Sequence, residues 1–158
     1  MAFVYNDLNQ VESFAEFQDL IDHDQRLFDT NEGLSDSVCY PKLIRATEKI
    51  LTRIKASDWW KSVTPPYTDI NPDYIIKHQN DFTDLCVYVA LSEDILPIIA
   101  DFGTQDNAEI QKMNYYVTQV TSLFEQLVNL GDWYDFNNDG SIDSSEIRPG
   151  TALRRRIR

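Results

Sequence analysis

With 158 residues, 42% of them hydrophobic and 25% charged, the chain is long enough for one domain with a real core and too apolar to be disordered throughout. Its net charge of −12 is unevenly placed: five of the 14 basic residues lie from Arg148 onward with no acid among them, so the nine others against 26 acids leave residues 1–147 at −17. An acidic body of that size argues against binding nucleic acid through its main surface. No stretch approaches the ~20 apolar residues of a membrane span. The Met1–Asp7 start lacks the basic and apolar runs of a signal peptide, so a soluble protein that folds in the cytoplasm is expected. Cys39 and Cys86 lie in or beside apolar helical patterns and read as small buried thiols rather than a disulfide. No metal spacing links them to His23 or His78.

Residues 1–8 read as an arm, ordered or loosely docked. Asn9 with Glu12, and Ser13 with Glu16, have capping-box spacing, which predicts a helix from near Val11. Phe14, Phe17, Leu20, Ile21, Leu27 and Phe28 then recur at helical intervals among acids. After a polar loop over Thr30–Ser37, Pro41 suits the first turn of a second helix. Its stripe is Leu43, Ile44, Thr47, Ile50, Leu51 and Ile54, while Lys42, Arg45, Lys49, Arg53 and Lys55 make it the one basic helix of an acidic chain. That basic face is either solvated or set against an acidic neighbour. Trp59 and Trp60 follow, then the break Thr64-Pro-Pro-Tyr67.

Asn71-Pro72-Asp73 either caps a short helix or precedes a brief extended segment, Tyr74–Ile76. Phe82, Leu85, Cys86, Val89, Ala90 and Leu96 predict a third helix, entered at Asn80 or Asp81, which Pro97 kinks or ends and Gly103 follows. From Asp106 or Asn107 to Leu130, a seam of Ile110, Met113, Val117, Val120, Phe124 and Leu127 predicts a long fourth helix. A second, rather apolar face carries Tyr115, Tyr116, Leu123 and Val128, which is either buried or meets another subunit.

The stretch Asp135–Glu146 has the spacing of the twelve-residue calcium loop of the EF-hand. Asp135, Asn137 and Asp139 supply side-chain oxygens at positions 1, 3 and 5, and Gly140 makes the sharp turn at position 6. Ser141 offers its carbonyl, Asp143 acts directly or through water, and Glu146 closes the site with both oxygens. A hard cation wants roughly six to eight oxygens, and a tight loop delivers them only when alternate residues aim inward. The competing reading is an acidic Asn-Asp-Gly turn with no metal. A calcium sensor normally pairs two such loops, each between two helices. Here there is one, with Gly131 before it and Pro149-Gly150 after it. The site therefore reads as a structural clip for calcium that ties the last helix to the tail, rather than as a switch.

No glycine-rich phosphate loop, nucleophile elbow or His-Glu-x-x-His helix is present in the sequence, so no enzymatic activity is expected. The tail, Thr151-Ala-Leu-Arg-Arg-Arg-Ile-Arg158, combines Arg154, Arg155, Arg156 and Arg158 with apolar anchors at Leu153 and Ile157. Arginine forks match carboxylates, so the tail reads as a protein-docking strand, with nucleic acid as the competing target. The expected organisation is all-α: a small bundle of about four helices over residues 1–134, the EF-hand-like loop 135–146, and an extended basic arm 147–158.

The order of elements resembles that of the head–tail connector (adaptor) proteins of tailed bacteriophages. The likeness covers roughly residues 38–131: the helix Tyr40–Leu51, an aromatic, proline-broken segment, the apolar helix Asp81–Leu91, and the long helix Glu109–Leu130. The N-terminal helix and the calcium-type loop depart from the family pattern. The resemblance implies a non-enzymatic virion protein of the head–tail neck, assembled in the host cytoplasm as a ring, typically dodecameric, beneath the portal. Its C-terminal arm would reach the portal protein or a neighbouring copy, and DNA would pass through an acidic channel without sequence-specific contact. The alternative is a calcium-dependent protein-binding module centred on the loop.

Overall fold

A computed structural model describes residues 3–30, 33–63, 69–99 and 108–148. The break at Thr64–Tyr67, Gly103, Pro149, Gly150 and the whole basic tail lie outside these residues. The fold is a small, mainly α-helical one, as the apolar periodicity predicts.

The N-terminal segment differs from expectation. Strand β1 (Val4–Tyr5) pairs antiparallel with β2 (Val11–Ser13), and the first helix, α1 (Phe17–His23), starts only after them. Asn6 decides this, because its side-chain oxygen accepts the N–H groups of Leu8 and Gln10 at 2.9 and 3.0 Å and folds a turn. Asn9 takes a left-handed φ of 57° within that turn, so it is not a helix cap. The Asp19 carboxylate instead reaches back to the Glu16 N–H at 2.8 Å and fixes the start of α1 at Phe17, six residues beyond Val11. Glu12, freed from capping, accepts the Tyr40 hydroxyl at 2.8 Å. Helix α2 (Gln25–Thr30) follows directly.

Helix α3 (Asp36–Ala56) buries Cys39, Leu43, Ala46, Thr47, Ile50 and Ile54. Pro41 sits inside this helix rather than at its start. A short helix, α4 (Asp58–Val63), carries Trp59 and Trp60 back into the core. Residues Pro72–Tyr74 form one 3₁₀ turn, capped by the Asn71 side chain on the Asp73 N–H at 3.0 Å, and Ile75 then turns extended to bridge Tyr134. Both readings of this segment hold, one residue apart.

Helix α5 (Gln79–Ala90) is the centre of the molecule, with Phe82, Thr83, Leu85, Cys86, Val87, Val89 and Ala90 buried. It packs against both α3 and the last helix, α7 (Ala108–Leu130). Beyond Ala90 the helix widens into one π turn, Leu91–Ile95, before α6 (Leu96–Ile99). Pro97 supplies the reason: its ring would meet the carbonyl four residues back in a regular helix, and a wider turn relieves that clash. The widened turn presents Glu93 and Asp94 to α3, where Arg53 pairs with Glu93, Lys49 with both, and Arg45 with Asp94. The basic helix thus meets its acidic neighbour inside the same chain.

At ~1.5 Å per residue α7 is ~34 Å long. Its buried line runs through Tyr116, Val120 and Leu127, with Met113 and Leu123 packed alongside, while Val117 is half exposed. The predicted seam therefore packs at Met113, Val120, Phe124 and Leu127 and departs from the prediction at Val117. Tyr116 moves inside to stack on Tyr88 at 5.7 Å. Cys39 and Cys86 are free and fully buried, and burial pushes their thiols up to about 11 and about 12. Among the described residues, no helix is long and apolar enough to cross a membrane.

Candidate metal centre

Gly131, at φ 58°, ends α7 and turns the chain back across the bundle. The next residues bond to the segment after the 3₁₀ turn. The Trp133 carbonyl accepts the Ile76 N–H at 3.1 Å, and the Asp135 N–H donates to the Tyr74 carbonyl at 2.9 Å. Trp133 is fully buried between Phe82 and Trp59, with ring centroids 4.9 and 5.1 Å away, and donates its indole N–H to the Leu127 carbonyl at 2.7 Å. Tyr134 and Trp60 flank Phe136, and the Arg148 guanidinium lies 4.3 Å above the Phe136 ring. Burial raises the Tyr134 hydroxyl above the ordinary tyrosine range. The return end is fixed as well: the Arg148 N–H donates to the Gly131 carbonyl at 2.9 Å, and the Trp59 indole donates to the Arg148 carbonyl. Both ends of the acidic loop therefore stand on an aromatic pedestal that includes all 3 tryptophans of the chain.

Within the loop, backbone N–H groups hold the carboxylates in place. Asp135, buried, accepts from Asp139 at 3.3 Å on one oxygen and from Gly140 at 2.9 Å on the other. Glu146, also buried, accepts from Asn137 at 3.1 Å and from Asp143 at 3.0 Å. Asn137 takes a second bond from the Asp139 N–H at 3.1 Å, and Asp139 accepts both the N–H and the hydroxyl of Ser141. Gly140 has φ +86°, a conformation that L side chains rarely adopt, and so fills the turn position as the spacing requires. Asn138 is left-handed as well.

The fold brings carboxylate oxygens of Asp135, Asp139 and Glu146 within 4.8 Å of one another. Oxygens sharing one hard cation at about 2.3–2.6 Å lie no farther apart than about 5 Å, so a single ion can reach all three. Asp143 stands outside that group, its Oδ1 taken by the N–H and hydroxyl of Ser145, which hold its carboxyl below the ordinary range. That arrangement suits contact through water rather than direct ligation. The residues present fit a divalent cation held by oxygen.

The predicted partner-binding residues Leu153, Arg154, Arg155, Arg156, Ile157 and Arg158 lie outside the described residues. The pedestal escaped the sequence reading. Its signal was the density of rings in two stretches, Trp-Trp at 59–60 and Trp-Tyr-Asp-Phe at 133–136, the second running into the loop. Comparison of the chain with protein-family models, with curated proteins and with solved structures finds no match.

Proposed function

We propose that this chain is a structural assembly protein of the head–tail connector kind, in which Asp135, Asn137, Asp139, Ser141, Asp143 and Glu146 hold a calcium ion as a clip and the arginine tail docks on other proteins. The observation that carries this reading is the anchoring of both loop ends on Trp59, Trp133 and Phe136, so that Arg148, the last described residue, is held at a fixed point. A sensor loop must move when loaded, and this one is pinned at both ends. Calcium would supply positive charge to carboxylates that otherwise repel, and would stiffen the bend from which the tail departs.

In that role the helices form a ring around an acidic channel, and Arg154, Arg155, Arg156 and Arg158 dock on the portal protein or the adjacent copy. Arginine forks on carboxylates would offset repulsion between acidic bodies at close range. DNA would pass the channel without sequence-specific contact. The test is the native mass of the chain, alone and mixed with a candidate portal ring, for the wild type and a deletion of residues 151–158. The deletion should stay folded and no longer join the ring; normal assembly of the shortened chain would overturn the proposal. If the loop is instead the centre of a calcium-dependent binding module, Asp135→Ala should abolish partner binding. If it is a clip, Asp135→Ala should lower stability and leave the ring intact.

A further inference from the structure

Helices α3 and α7 both pack against α5 and its π continuation, and between them lies an open groove of about 460 Å³. Val117, Val120 and Phe124 of α7 give it an apolar wall, and Arg53, Glu93 and Glu125 lie along its edges. Val117 is half exposed there although it occupies a heptad position of the apolar seam. Glu93 is already shared by Arg53 and Lys49, whereas Glu125 makes no ion pair among the described residues.

We infer that this groove receives the 151–158 segment of a neighbouring copy, an inference that rests on the reading of the tail as a protein-docking arm. The segment has the matching chemistry: Leu153 and Ile157, four residues apart, for the apolar wall, and arginines beside them for Glu125 at its edge. Charge favours a second copy as the source, because two bodies at −17 repel unless arginines of one lie against acids of the other. Occupation would cover Val117, which the bundle leaves half exposed.

The test uses the full chain in sedimentation equilibrium, comparing wild type, Val117→Asp, Ile157→Asp and the double variant. Circular dichroism melting checks that Val117→Asp, at an exposed site, keeps the fold. The wild type should self-associate, each single variant should weaken association at least about tenfold, and the double variant should be no weaker than the worse single one. Association lost with Ile157→Asp but unchanged by Val117→Asp overturns the groove assignment and leaves the docking tail standing. Association insensitive to both variants overturns the groove and the tail together. A wild type that stays monomeric at every concentration overturns the groove as a self-docking site, while the portal-mixing experiment still decides the tail.

Discussion

Replacing Glu146 by Gln tests the loop at its closing residue without changing its shape. In the wild type both Glu146 oxygens accept backbone N–H groups, from Asn137 at 3.1 Å and Asp143 at 3.0 Å. A Gln amide has one acceptor oxygen, so one of these N–H groups would face another donor, at a cost of roughly 1–3 kcal/mol. Removing one carboxylate from a mutually repelling group offsets part of that cost, so without cation the two proteins should differ little. With calcium they should diverge. A ligand at about a hundred times its Kd adds ~2.7 kcal/mol, which for a chain of this length corresponds to ~5–11 °C in Tm. The variant, lacking the bidentate closure, should show almost none of that rise. Because all 3 tryptophans sit in or beside the pedestal, intrinsic fluorescence melting with calcium and with chelator is the natural assay. A wild type whose Tm ignores calcium would remove the cation from the account. A variant that responds as strongly as the wild type would show that Glu146 is not a ligand.

Trp133→Ala should cost ~3–5 kcal/mol in urea denaturation, since it empties the fully buried centre of the pedestal; a loss under about 1 kcal/mol would mean that the loop is anchored elsewhere. Gly140→Ala should cost ~1–2 kcal/mol from backbone strain alone, because φ is +86° and nothing lies within 4 Å of the added Cβ. The same substitution at Gly33, equally uncrowded and without a positive φ, should be close to neutral. Stability should fall steeply in alkali. The Cys86 thiol is raised from 9.0 to about 12, so above pH 9 the unfolded chain releases a proton that the folded one keeps. That difference removes ~1.4 kcal/mol per pH unit until the folded thiol itself titrates. Denaturation midpoints from pH 8 to 11 should show this slope flattened in Cys86→Ala, and equal slopes would refute the assignment.

The helices were legible because their apolar spacing is a local signal. Helix α5 follows its pattern from Phe82 to Ala90, its π continuation leads to Leu96, and Pro97 beyond is visible as a breaker. What spacing could not convey is that the chain widens before the proline instead of stopping there. The N-terminal hairpin was hidden for a different reason. Asn9 and Glu12 have the spacing of a helix cap, and only the hydrogen bonds of Asn6 show that a turn wins locally. On α7 the heptad count selects Val117, yet Tyr116 takes the interior because Tyr88 offers it a stacking partner from another element. The loop residues were legible one by one, since an oxygen cage imposes a fixed order on the chain. The pedestal joins residues as far apart as Trp59 and Arg148, and no pattern within a short window carries such a pairing.

The sealed thiols bear on how the basic arm can be followed. Cys39 and Cys86 are fully buried, with their acid forms favoured far above neutrality, so a maleimide at pH 7 should find neither in the folded chain. One cysteine introduced at Thr151 would then be the sole labelling point. A dye or spin probe there would report any docking of the arm on a protein surface, with the native sulfurs left in place.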